Sequence, residues 1–217
     1  QPTIPIMKYF LDTEFLEGNQ AKRVLGFNVG HTKPTIDLIS IGIVAEDGRE
    51  YYAISKEFNL KEAWNRWQKK LVDYGEPYQI KLEIVKEYWL RENVLKPIYE
   101  ELHRKEMGMY YKMQEANVVP AIPIIGFTYS NLKKLIKKYG KTNAQIAEEV
   151  KEFVYNQTPE DKYNGTDRSR PEFYGYYADY DWVVFCWLFG TMMNLPTGFP
   201  MYCNDLKQDL ANRLKTY

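Results

Sequence analysis

Histidine and cysteine are almost missing from this chain, with two of each among 217 residues. Cys186 and Cys203 form no Cys-x-x-Cys pair and have no histidine at zinc-ligand spacing, which argues against a structural zinc module. Two isolated thiols in a chain of this length point to a reducing, cytoplasmic setting. Net charge is missing too: the 29 basic and 29 acidic side chains cancel. That argues against a protein that holds nucleic acid through bulk positive charge, and leaves open one that grips a polyanion locally. No apolar run reaches about 18 residues, the length needed to span a bilayer, and no signal peptide is visible. Gly26, Gly30 and Gly42 match neither the dinucleotide fingerprint nor a Walker sequence.

What is present is apolar and aromatic. Apolar residues make up 45% of the chain, enough for a sizeable core, and tyrosine alone supplies 19 residues. Such rings can stack on bases, although filling core and surface is their commoner use. The first six residues precede Met7 and read as an appended remnant, with one domain over 7–217. Lys8 to Asp12 reads as a strand, followed by a polar loop from Glu17 to about Thr35. Ile36 to Val44, rich in β-branched residues, is the strongest strand signal. Asp47-Gly48 marks a hairpin turn, and Glu50 to Ser55 returns as a third strand.

Leu82 to Leu102 has helical spacing that Pro97 divides in two, and Met107 to Phe127 has no clear period. About 65–130 therefore reads as an insertion beside the sheet. Ser130 to Tyr139 is an expected helix closed by Gly140. Thr142 and Gln145 form a capping box for a helix bearing Ile146, Val150, Phe153 and Val154 on one face. Glu172 to Ala178 reads as a strand, Tyr180 to Met193 as a buried helix, Met201 to Cys203 as a short strand and Asp205 to Leu214 as a last helix. The order predicts an α/β sandwich around a mixed sheet.

Asp12 and Glu14 stand two apart at the end of the first strand, on one face of it. Like charges so placed raise each other's pKa, and a divalent cation removes that penalty. Taken alone, such a pair is more often a solvated strand end. Asp179 and Asp181 stand where a strand hands over to the apolar helix. One of them serves as an N-cap, which leaves the other to account for. If that strand end lies near the first, Asp181 completes a cluster with Asp12 and Glu14. Three convergent carboxylates suit phosphoryl transfer through two metal ions about 4 Å apart. In that reading Asp12 bridges the ions, Glu14 serves the water-activating one and Asp181 the leaving-group one.

The run Tyr9-Phe10-Leu11-Asp12-Thr13-Glu14-Phe15 is similar to the first motif of the DEDD 3′-5′ exonuclease superfamily. Residues 37–53 and 180–190 closely resemble its polyadenylate-specific ribonuclease AS branch, whose metal-binding aspartate matches Asp181. The resemblance implies a ribonuclease H-like fold and Mg²⁺ or Mn²⁺ as cofactor. It implies single-stranded RNA with a free 3′ end as substrate, with adenylate ends as the finer expectation. It also implies a homodimer. The alternatives are a 3′-5′ exodeoxyribonuclease and a non-catalytic binding module of the same fold.

One part of the family pattern is absent. The family's third motif is a histidine followed five residues later by an aspartate, serving as general base and further ligand. His31 is followed at that spacing by Ile36, and His103 by Gly108. Asp205 and Asp209 lie on the last helix and read as solvated. Either the chain is cut short of its native end, the favoured expectation, or the protein lacks the motif; both imply weak hydrolysis. Lys133, Lys134, Lys137, Lys138 and Lys141 form a basic stripe, read first as a solvated helix face and alternatively as a phosphate rim. Among the tryptophans, Trp64, Trp67 and Trp89 are candidates for a stacking wall, whereas Trp182 and Trp187 are expected in the core.

Overall fold

The structure, a computed structural model, describes residues 6–25, 27–73, 82–116, 118, 124–155 and 170–215. Among these, the strands are β1 (Ile6–Gly18), β2 (Ala21–Val24), β3 (Phe27–His31), β4 (Thr35–Ala45), β5 (Glu50–Ile54), β6 (Gln68–Asp73), β7 (Leu82–Glu87), β8 (Arg170–Gly175) and β9 (Asn204–Asp205). The α-helices are α1 (Leu60–Asn65), α2 (Lys96–Glu115), α3 (Tyr129–Tyr139), α4 (Asn143–Tyr155), α5 (Asp179–Leu188) and α6 (Leu206–Lys215). They sort into two units. One takes in the described residues of Gln1–Asn19, Lys33–Phe58 and Gly140–Tyr217; the other takes in Gln20–Thr32 and Asn59–Tyr139.

The first unit is built on a sheet of order β5-β4-β1-β8-β9. Strands β1, β4 and β5 form an antiparallel meander, while β8 joins β1 in parallel and β9 joins β8 in parallel. This is the mixed sheet that the element order predicts, and it is consistent with the ribonuclease H-like fold that the resemblance implies. Along β1, Tyr9, Leu11 and Thr13 are buried while Phe10 and Asp12 are exposed, the period of two that gives a strand a dry face and a wet one. The dry face packs against Ile146, Val150 and Val154 of α4 and Val184 and Phe185 of α5. The α4 start is a true capping box: the Gln145 N–H donates to Thr142 Oγ1, and the Thr142 N–H donates to Gln145 Oε1. The Asp47-Gly48 turn is also as expected, with Gly48 at φ 88°.

Several elements differ from the sequence reading. The polar stretch after Glu17 holds the β2–β3 hairpin. Leu82–Glu87 is a strand paired with β6, because its alternating side chains satisfy a two-residue period as readily as a helical one. Pro97 does not divide two helices. It sits in the first turn of α2, directly after a π-helical turn at Arg91–Leu95 that runs into α2 without a break. Helix α2 then runs on to Glu115, through part of the stretch without clear period. Gly140 is not a left-handed cap. Lys141 beyond it bridges to Ser55, so the chain leaves α3 directly into sheet-like pairing. Helix α5 ends at Leu188, short of Met193, and the last strand is Asn204–Asp205.

The second unit holds the β2–β3 and β6–β7 hairpins and the helices α1 to α3. Its apolar interior includes Val94, Leu95, Ile98, Leu102, Leu132 and Leu135. The buried Glu106 carboxylate accepts bonds from Lys138 Nζ at 2.6 Å and the Tyr139 hydroxyl at 2.5 Å.

Back in the first unit, one glycine is required by close approach. A Cβ on Gly175 would stand 2.8 Å from the Ala178 Cβ and 3.3 Å from the Leu11 carbonyl oxygen. Gly175→Ala should cost about 1–3 kcal/mol, the scale of overpacking a tight site, with thermal unfolding as the readout.

Candidate functional site

The site begins with the pairing of β1 and β8. Their parallel register runs to Phe10 opposite Tyr174, and at the next step Gly175 closes onto Leu11. The chain then turns and enters α5, whose third residue is Asp181. That carboxylate lands on Thr13, which points to the dry face between the two acids of β1. Asp181 Oδ1 accepts the Thr13 N–H at 2.8 Å and the Thr13 hydroxyl at 2.6 Å, and the two residues are 7% and 6% exposed. Asp181 also stands in the first turn of α5, where the helix dipole favours a negative charge. Its Oδ2 has no hydrogen-bond partner among the described residues.

Asp12 and Glu14 share the electrostatic field of Asp181. The Asp12 carboxyl is held above its ordinary pKa by burial and then by repulsion from Asp181. Glu14 is raised by burial, then by Asp12, then by Asp181. A β-bulge between Glu14 and Phe15 shifts the register just past the pair. The sequence-selected acids Asp12, Glu14 and Asp181 thus face a common charge field, with no ion pair to a basic side chain among the described residues. Among the described residues there is no group of three or more histidine, cysteine or acidic side chains placed to hold a metal ion. The donor set itself is all carboxylate oxygen, with an open Oδ2 on Asp181, and suits a hard divalent cation.

Other candidates sort differently. Asp179 is exposed and does not cap α5: the N-cap is Ala178, which has no capping side chain. Asp205 is not a merely solvated acid. Its Oδ1 accepts the N–H groups of Lys207 and Gln208, and its Oδ2 accepts that of Ala178. Burial pushes its pKa up, but these backbone donors outweigh that and hold it below the ordinary carboxylate range. An aspartate just ahead of an amphipathic helix is an N-cap signal that sequence reasoning passed over. Thr13 carried no such signal, since its role exists only once Asp181 arrives.

Trp182 is buried and stacked on Phe185, whereas Trp187 is about half exposed and is not a core residue. Trp187 lines a cavity of about 270 Å³ with Ile36, Asp37, Leu38, Phe58 and Val184. None of the three acids lines it. In the basic stripe, Lys138 is bound to Glu106 and Lys141 to Glu149, while Lys133, Lys134 and Lys137 are exposed. Both cysteines are free thiols, and burial pushes them up to about 11 for Cys186 and about 12 for Cys203. No described helix is long and apolar enough to cross a membrane.

No protein-family profile matches the chain. Two relatives do: the 3′-5′ exoribonuclease Rv2179c of Mycobacterium tuberculosis (strain ATCC 25618 / H37Rv) and the 3′-5′ exoribonuclease MT2234.1 of strain CDC 1551 / Oshkosh. Each is 28% identical over 202 residues, which is 93% of this chain and 73% of the relative.

Two outcomes follow from this geometry. Thr13→Val removes one of the two donors to a buried carboxylate oxygen and should cost about 1–2 kcal/mol in chemical denaturation. Asp12 and Glu14 titrate above their ordinary values, so protonating them favours the folded chain. Their penalty is absent below the ordinary carboxylate range and grows as pH rises through the raised values. Without metal, Asp12→Asn should therefore raise the melting temperature at neutral pH by about 2 °C, the scale of a solvent-screened charge. The gain should shrink toward zero in acid. A lower melting temperature at neutral pH would contradict the repulsion.

Proposed function

We propose that this protein is a metal-dependent 3′-5′ exoribonuclease of the DEDD type, acting on single-stranded RNA and favouring adenylate ends. The observation that carries the reading is the bond between Asp181 and Thr13. It joins residues 168 apart in sequence and brings the third acid to the strand bearing Asp12 and Glu14. The two relatives named as 3′-5′ exoribonucleases support the reaction class.

Asp12, Glu14 and Asp181 are the residues that would hold Mg²⁺ or Mn²⁺. A bound pair of such ions supplies a water nucleophile at neutral pH and neutralises charge on the leaving 3′ oxygen. The protein's part is to bring the acids into one field and to hold Asp181 in place. Thr13 takes up Asp181 Oδ1 and leaves Oδ2 open. The raised pKa values of Asp12 and Glu14 represent repulsion that cation binding relieves, so affinity should fall as pH drops through them. The chain contains no His-x-x-x-x-Asp to take the proton from water. Hydrolysis by these 217 residues is therefore expected to be slow.

Calorimetric titration with Mn²⁺ tests the site. The chain should bind it and Asp12→Asn should not; a chain that binds none sinks the metal reading. Incubation with 5′-labelled oligoadenylate and Mn²⁺ should shorten it one nucleotide at a time from the 3′ end, far below about 1 s⁻¹. Turnover above that would show that an unrecognised base serves the water. Equal cutting of the 2′-deoxy strand would move the substrate class to DNA.

A further inference from the structure

We propose that Tyr176, Tyr177 and Lys207 form a contact site for the RNA strand that leads into the acid cluster, one nucleotide's base against a tyrosine ring and its phosphate against the lysine. This rests on the reading above and adds to it a place for the substrate beyond the reacting end.

The cluster sits on the turn between β8 and α5. Tyr177 has φ 58°, a left-handed backbone that is costly for a bulky aromatic residue. Asp205 holds the turn in place. One of its oxygens takes the Ala178 N–H, and the other takes the Lys207 and Gln208 N–H groups at the start of α6. A single carboxylate therefore ties the turn to the helix that carries Lys207. The Lys207 Nζ lies 5.9 Å from the Tyr176 ring centroid and 5.8 Å from that of Tyr177. The two rings meet edge to face, 4.9 Å apart, and are 56% and 63% exposed. They shield no core, so packing does not explain why a strained backbone presents them to water.

Their position in the sheet supplies the function. Phe10 pairs with Tyr174, so Asp12 and Tyr176 each lie two residues beyond that pair, at the same end of neighbouring parallel strands. Ligands of α/β sheets gather at this carboxyl end. The three acids repel a polyanion, and Lys207 sets a positive charge beside Tyr176 and Tyr177. A point charge with neighbouring ring faces is the equipment of single-strand binding, where the cation meets phosphate and the ring meets a base.

The test is fluorescence anisotropy of 5′-labelled oligoadenylate with the full chain in EDTA, which prevents cleavage, over a range of salt. Tyr176→Ala should weaken binding about tenfold, the effect of removing one stacked base. Tyr176→Phe should bind nearly as the wild type. Lys207→Met should flatten the slope of log affinity against log salt by about 0.7, one single-strand phosphate contact. Mn²⁺ affinity and melting temperature should stay unchanged in all three variants. Wild-type affinity and slope in both Tyr176→Ala and Lys207→Met would overturn the site. So would absence of oligoadenylate binding by the wild type, or loss of Mn²⁺ binding in Tyr176→Ala, which would mark a structural role. Because Mn²⁺ binding is measured separately, the metal reading survives or fails on its own.

Discussion

The close approach of β8 to β1 is the constraint on which the site depends. Only because residue 175 has no side chain can the end of β8 press onto the Leu11 carbonyl, and only from there does α5 start over Thr13. The result is a buried carboxylate held by two donors from one residue. Such bonds to a charged group are among the stronger ones inside a protein. They fix Asp181 without a basic partner. A lysine or arginine there would cancel the charge that the site concentrates.

That concentration has a cost that the fold carries openly. Asp12 is exposed and Glu14 half-buried, yet both lose solvation at this end of the strand, and repulsion from Asp181 adds to that in raising them. The N-terminal turn of α5 offsets part of this for Asp181. A local conflict of this kind, with well-satisfied structure around it, is what functional sites tend to show. The surroundings are accordingly ordinary. The α4 capping box is complete, the hairpin turn has its glycine, and the thiols of the buried Cys186 and the half-buried Cys203 are both pushed up by burial.

Several residues that look functional in the sequence have structural work in the fold. Lys138 neutralises the buried Glu106, and Lys141 pairs with Glu149, so two of the five stripe lysines are occupied. Asp205, read as a solvated acid, caps α6 and secures the turn before α5 in the same stroke. Asp179 does the reverse: two residues before Asp181 in sequence, it is exposed and does not cap α5. In helices, residues two apart point to different sides, so only one of Asp179 and Asp181 can face β1.

Local periodicity was enough to determine the three-stranded meander, the helix α4 with its capping box, the strand β8 and the apolar helix behind it, because each carries its own spacing or turn chemistry. Asp12, Glu14 and Asp181 stood out as candidates from their places at strand and helix ends, and the Asp181–Thr13 bond is what the tertiary structure adds to them. Local pattern could not decide between strand and helix at Leu82–Glu87, nor see that the helical chain runs through Pro97, because short apolar runs satisfy both periods and a proline is tolerated in a first turn. Tertiary structure alone decided the roles of Thr13, Gly175 and Asp205. Each acts through a contact with a segment distant in the chain, and no local signal records a partner that folding has yet to deliver.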